Sequence, residues 1–286
     1  METYSQDNES YKVRAFDKNI FTVNKSVSVK YKPSDPVFDF LKIGGKDMCI
    51  EYMFDRKSNT TELQWLHTDG QRCVDGEMSI RGENTVRLFY LSVQLLQKYA
   101  PITRVNFLDN SFFKCLLPNG KIVKMFLNHH YFLFHEGKTW YDDKLRAYPT
   151  NKTQRLLYQS FSHNFTNPFH KPAYFDFMNN DLNEIFQPIW NKTNTWSEFF
   201  TEIKKMPDIC QKTYTWYLRA SHIIRNGENL PEHWSIDVNK ITPVTSIEKM
   251  VGGKRNKKYI CDSAVCPDYP DVIQCRTMSY SVRNKK

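Results

Sequence analysis

Between His135 and Tyr141 the chain reads His-Glu-Gly-Lys-Thr-Trp-Tyr, which gathers an imidazole, a carboxylate, an ammonium, a hydroxyl and a phenol into one short string. Gly137-Lys138-Thr139 has the residue types of a phosphate-holding loop, in which backbone amides and a lysine grip the phosphates of a nucleotide. That loop also needs a glycine five positions before Gly137. Phe132 stands there, so P-loop nucleotide chemistry is excluded. Cys261, Cys266 and Cys275, with His233 upstream, could supply thiolate and imidazole ligands. Structural zinc prefers cysteine pairs two to four residues apart, and only the first pair comes close, so no metal is expected. His129, His130 and His135 lie in an apolar, aromatic stretch where adjacent histidines face apart. They read as half-buried side chains.

Trp140-Tyr141-Asp142-Asp143-Lys144-Leu145-Arg146-Ala147 resembles the Phe-Tyr-Glu-Lys-Leu-Gly-Phe signature of GNAT-superfamily acyltransferases. The element order resembles that fold as well: antiparallel strands, a glycine-containing loop, a long buried helix, a strand, then a tyrosine-bearing helix. The resemblance implies that Arg81, Gly82, Glu83 and Asn84 stand at the helix start where the pyrophosphate of acyl-CoA binds to backbone amides. It implies that Tyr141 stands where the family's general acid protonates the departing thiolate. Arg81 is followed directly by Gly82 with no second glycine, and an extra hairpin precedes the tyrosine helix, so a degenerate scaffold acting through interactions is preferred to an active N-acyltransferase. For Trp140 and Tyr141 the competing role is core packing. Gly-Lys-Thr-Trp-Tyr following Asp109-Asn110-Ser111 also resembles proteins of large nucleocytoplasmic DNA viruses. His233-Trp234 and Gln274-Cys275 bear a fainter likeness to viral and SUMO-type cysteine proteases. Gln274 adjoins the cysteine and Arg276 follows it, against that family's pattern.

Several elements must position these residues. Val23–Tyr31, Met48–Phe54 and Leu63–His67 read as strands by apolar alternation, the last two joined across Asp55–Thr60. Residues 84–99 read as a mostly buried helix, its polar Arg87, Gln94 and Lys98 on one face. Ile102–Leu108 reads as a strand. Phe112–Leu117 and Lys121–Phe126 flank Pro118-Asn119-Gly120 as a hairpin. Farther on, Leu182, Ile185, Phe186 and Ile189 keep helical spacing. Thr195 and Glu198 form a capping box, and Ile209–Arg225 reads as one helix stopped by Asn226-Gly227. The expected class is α+β: a mixed, largely antiparallel sheet with a long buried helix. The expected divisions are a loose terminus over 1–20, the acyltransferase-like unit over 21–150, a helical segment over 151–230 and an irregular basic segment over 231–286.

The chain has 286 residues and a formal charge of +9. Residues 249–286 hold nine basic and three acidic side chains, +6 of that total. Lys254, Arg255, Lys257 and Lys258 are therefore the candidate contacts to nucleic acid, in the manner of a virion- or replication-associated protein, with a solvated connector as the competing reading. A protein partner is the other expectation. Apolar runs fall short of a membrane span. The polar amino terminus has no apolar signal core, six Asn-x-Ser/Thr sequons occur without one, and seven cysteines are an odd number. Together these lead to an intracellular location, host cytoplasm or virion, with mostly reduced thiols.

Overall fold

A computed structural model describes residues 9–15, 19–29, 38–45, 47–55, 59–67, 73, 83–241, 247–251, 254–259 and 274–276. Along the chain run β1 (Glu9–Ala15), β2 (Asn19–Val29), β3 (Phe38–Gly44), β4 (Met48–Asp55), β5 (Thr60–His67), α1 (Glu83–Gln97) and β6 (Arg104–Leu108). Then come β7 (Phe112–Leu116), β8 (Ile122–Phe126), α2 (Leu127–Phe134), α3 (Trp140–Leu145), β9 (Tyr148–Pro149) and α4 (Lys152–Thr166). The chain continues through α5 (Asn180–Lys192), α6 (Trp196–Ile203), α7 (Ile209–Thr213), α8 (Tyr217–Ile224), β10 (His233–Asp237), β11 (Ile247–Val251), β12 (Lys254–Tyr259) and β13 (Gln274–Arg276). The class is α+β, with a mixed sheet. Among the described residues no helix is long and apolar enough to cross a membrane.

The chain forms two compact units: residues 1–110 with 235–286, and residues 111–234. Sequence divisions at 150 and 230 fall elsewhere, because the Pro118–Gly120 hairpin and the Tyr141 helix pack with the helices that follow them.

In the first unit the strands lie in the order β12-β11-β1-β2-β3-β4-β5-β6-β10. Neighbours from β1 to β5 are antiparallel, as are β1 with β11 and β11 with β12. β5 and β6 are parallel, joined through α1. The expected buried helix is present: Leu88, Phe89, Leu91, Val93 and Leu96 have no exposed surface. Ser92 on its inner face donates to the Phe89 carbonyl and lies 2.5 Å from the Tyr52 hydroxyl of β4, which ties helix to sheet.

Two expectations for this unit need correction. Residues 1–20 are not uniformly loose, since Glu9–Ala15 is a strand paired with both β2 and β11. The terminal segment is not irregular throughout: Lys254, Arg255, Lys257 and Lys258 lie in β12, at the end of the strand order. Strand pairing reaches across more than two hundred residues here, which no local pattern announces.

The second unit is helical around an aromatic core. Phe177, Phe186, Trp196, Phe199 and Trp216 are fully buried. Trp190 meets Trp196 edge-on at 5.0 Å and Phe199 at 5.0 Å, the geometry ring quadrupoles favour. Thr195 caps α6 as expected by accepting from the Glu198 amide, while Glu198 reaches the Asn194 amide at 2.6 Å. The single helix expected over 209–225 is two, α7 and α8. The break at 214–216 lets Trp216 turn into the core, where its indole donates to the Lys212 carbonyl.

The expectation of reduced thiols is also corrected. Cys49 is bonded to Cys73 in the first unit, and Cys115 to Cys210 in the second, with Cα atoms 5.5 and 6.0 Å apart. Cys261 and Cys266 lie outside the described residues, and Cys275 sits in β13.

Candidate functional site

The His135–Tyr141 string is the knot that joins α2, α3 and α4 in the second unit. After Phe134 the chain reverses through Glu136 (φ 52°) and Gly137 (φ 84°). The Gly137 amide donates back to the Phe132 carbonyl at 3.0 Å, and the Lys138 amide to that of His135 at 3.0 Å. A Cβ at Gly137 would stand 2.8 Å from the Ser162 Cα and 3.3 Å from the Phe165 ring. The glycine of Gly-Lys-Thr therefore serves the close passage of α4.

Thr139 caps α3, its hydroxyl accepting from the Asp142 amide at 3.3 Å. Its own buried amide donates to the Tyr158 hydroxyl at 2.8 Å, and that hydroxyl donates to Asp142 Oδ2 at 3.1 Å. Burial raises the Asp142 carboxyl, against the lowering effects of Tyr158 and Lys138. Tyr158 is raised by burial and by the Asp142 charge. Trp140 donates its amide to Asn128 Oδ1 at 3.0 Å. Tyr141 is 1% exposed, edge-on to Trp140 at 5.7 Å and tilted against Trp234 at 5.8 Å. The packing role holds for both rings.

The rest of the string lines a cleft of about 480 Å³, bounded by α2, the turn, α3 and α6. Lys138, Lys204 and Lys205 bring ammonium groups to it, Glu136 and Asp143 carboxylates, and Ser197 and Thr201 hydroxyls. Some of these are engaged: Ser197 donates to Glu136 at 2.9 Å, and Lys205 pairs with Glu202 at 2.7 Å. His135 stacks on Tyr131 with ring centres 3.5 Å apart and its Nδ1 3.0 Å from the Tyr131 carbonyl. Burial, helped by Lys204 and Lys144, lowers the imidazole to about 4 against the pull of Tyr131 and Asp143, so it is neutral at pH 7. Tyr131 donates to Asp143, and Lys144 lies 2.9 Å from the same carboxylate. Burial raises the Asp143 carboxyl, but these two partners outweigh it and the net direction is down. The arrangement suits electrostatic retention of an oxyanion, with Lys138 and Lys204 as its cations.

Sequence reasoning missed a second cluster. Ser221 Oγ is 3.2 Å from His129 Nδ1, and Arg225 Nε donates to the Ser221 carbonyl at 2.9 Å and to Oγ at 3.3 Å. Burial and the Arg225 charge lower His129 to about 4. The pair resembles a nucleophile and its base, yet Ser221 has no exposed surface for a substrate to reach. Residues 92 apart form it, so no spacing rule could have found it.

The other candidates are dispersed. Arg81 and Gly82 lie outside the described residues, Glu83 and Asn84 begin α1 in the first unit, and Tyr141 belongs to the second. His233 starts β10. Among the described residues no cluster of three His, Cys, Asp or Glu side chains could hold a metal. Comparison with family models, with curated proteins and with solved structures finds no match to this chain.

Proposed function

We propose that the protein acts by binding rather than by acyl transfer, on a scaffold that follows the acyltransferase order of elements without its cofactor slot. One observation carries this reading. β6 pairs with β5 only from Thr60 to Glu62, and beyond that point the β5 edge at Trp65–His67 is taken by β13, Gln274–Arg276. A pair of parallel strands that part leaves backbone groups for a ligand only while no third strand satisfies them. The burial of Tyr141 supports the same reading, since a phenol with 1% exposure is poorly placed to protonate a thiolate.

The surface assigned to binding is the cleft at His135–Lys205, and the group it takes is a carboxylate or phosphate oxyanion. The test is thermal unfolding of the full chain with acetyl-CoA and, separately, with pyrophosphate. Pyrophosphate is expected to raise Tm, and Lys138→Glu with Lys204→Glu to remove that rise. Acetyl-CoA is expected to produce no shift that survives these substitutions. A stabilising shift with acetyl-CoA in the double variant would restore the enzyme reading, with Arg81–Asn84 as the pyrophosphate site.

A second reading has its own observation: Lys254, Arg255, Lys257 and Lys258 lie on β12, the outermost strand in the order, where a basic edge can track a phosphate backbone. Four contacts predict a log–log salt slope of about −3 to −4 for DNA binding, abolished by reversing the four charges. Salt-independent binding, or none, sinks it.

A further inference from the structure

Glu136 is out of place in a cleft that holds only an oxyanion. Its carboxylate lines the same space of about 480 Å³ as Lys138 and Lys204, and it would repel an incoming anion. The other charges there are answered within the protein. Asp143 accepts from Tyr131 and lies 2.9 Å from Lys144, and Lys205 pairs with Glu202. Among the described residues Glu136, Lys138 and Lys204 form no ion pair, either with one another or with a further group. Lys138 acts on the Asp142 carboxyl through its field without pairing with it.

The carboxylate is held where it stands. Glu136 has a left-handed backbone (φ 52°), a conformation that Gly, Asn and Asp adopt more readily than Glu. The Gly137 amide pins the turn to the Phe132 carbonyl at 3.0 Å. Ser197 Oγ donates to Glu136 Oε1 at 2.9 Å, which fixes the carboxylate beside the first turn of α6. A hydroxyl carries no charge, so this bond positions the carboxylate and leaves its charge unanswered. At the other end of the helix Lys204 is the C-cap, its Nζ 3.5 Å from the Phe134 carbonyl. Ser197, Thr201 and Lys204 follow one face of α6 at i, i+4 and i+7. Seven residues rise about 10 Å along a helix. The cleft therefore has a negative end and a positive end, set apart on one helix face.

Resting on the oxyanion reading of this cleft, we propose that its ligand is a small zwitterion, with an ammonium group and a phosphate on one short skeleton. The ammonium meets Glu136, and the phosphate meets Lys138 and Lys204. Two cations suit a phosphate dianion better than a single carboxylate. A two-carbon skeleton spans the interval between the two ends, given a hydrogen bond of about 3 Å at each. Glu136 then sets specificity, because it favours an anion that carries an amine and disfavours one that does not. A polyanion without a cationic group meets the same carboxylate with nothing to offset it.

The test is a thermal-shift titration of the full chain with O-phosphoethanolamine and with ethyl phosphate, at a pH where both phosphates are dianions. The two ligands differ in the amine, and pyrophosphate measures the oxyanion site itself. O-phosphoethanolamine is expected to bind about three- to fivefold more tightly than ethyl phosphate, the worth of one exposed ion pair. Glu136→Gln keeps an acceptor for Ser197 and removes the charge. It is expected to erase the preference, weakening O-phosphoethanolamine and strengthening ethyl phosphate. Lys138→Glu with Lys204→Glu is expected to abolish binding of both. Equal binding of the two ligands by the parent overturns the proposal, and it leaves the oxyanion reading standing where pyrophosphate still raises Tm. A preference that survives in Glu136→Gln overturns it as well, because the amine is then read elsewhere. If none of the three ligands raises Tm, the oxyanion reading fails and this proposal fails with it.

Discussion

At the scale of single residues, the string that most invited a chemical reading does mostly structural work. Gly137 is there because two helices pass too closely for a Cβ and because φ is positive. Gly137→Ala is therefore expected to destabilise the protein by about 2–4 kcal/mol, read as a fall in Tm or in denaturant midpoint. Tyr158 serves three partners with one hydroxyl. Tyr158→Phe leaves the buried Thr139 amide without its acceptor, at a cost of about 1–3 kcal/mol by chemical denaturation. The residue types of Gly-Lys-Thr were legible in the sequence, but their purpose was not. The reason is that Ser162, which dictates the glycine, lies a helix away.

At the scale of elements, the hairpin was fully legible because everything that makes it is local: alternation, Pro-Asn-Gly and two equal strands. The broken helix at 214–216 was not, since the apolar period continues through it and only the core that receives Trp216 decides the break. Strand β13 was not legible either. Cys115–Cys210 closes a loop with a separation of 95 residues, for which the chain-entropy account gives about 4–5 kcal/mol. Cys115→Ser with Cys210→Ser is expected to lower stability on that order in non-reducing buffer and to reduce the parent's sensitivity to dithiothreitol to the part that Cys49–Cys73 contributes. Identical unfolding of parent and variant would refute the bond's contribution. Deleting 249–286 removes β12 and β13 and cuts into β11, so charge reversal is the cleaner test of nucleic-acid contact.

At the scale of the molecule, three histidines of the second unit set a dependence on pH. His129 and His135 are lowered to about 4 and His130 to about 3, each chiefly by burial. His130 has no hydrogen-bond partner for either ring nitrogen and sits among Phe113 (5.0 Å), Phe134 (4.7 Å) and Tyr217 (6.2 Å). All three folded values lie below the usual 6.5, so the unfolded chain takes up protons first as pH falls. Stability is complete above about pH 6.5 and is lost toward pH 4, at about 1.4 kcal/mol per pH unit for each histidine. Denaturant midpoints at pH 7 and pH 5 measure it. His130→Leu is expected to reduce the slope by about one proton, and an unchanged slope would remove His130 from the account.

The sequence by itself determined what depends on neighbours a few residues apart. Those features are the α+β class, the buried helix α1, the antiparallel pair β4–β5, the Pro-Asn-Gly ribbon and the Thr195 cap, all written in periodicity and turn chemistry. The tertiary structure alone decided what depends on distant partners. It paired Glu9–Ala15 with Ile247–Val251, laid Gln274–Arg276 along β5, bonded Cys115 to Cys210 and set Ser221 against His129. It also brought Glu136, Lys138 and Lys204 to one cleft. Burial and cross-strand register are properties of chain segments brought together by the fold, and the spacing of residues along the chain does not carry them.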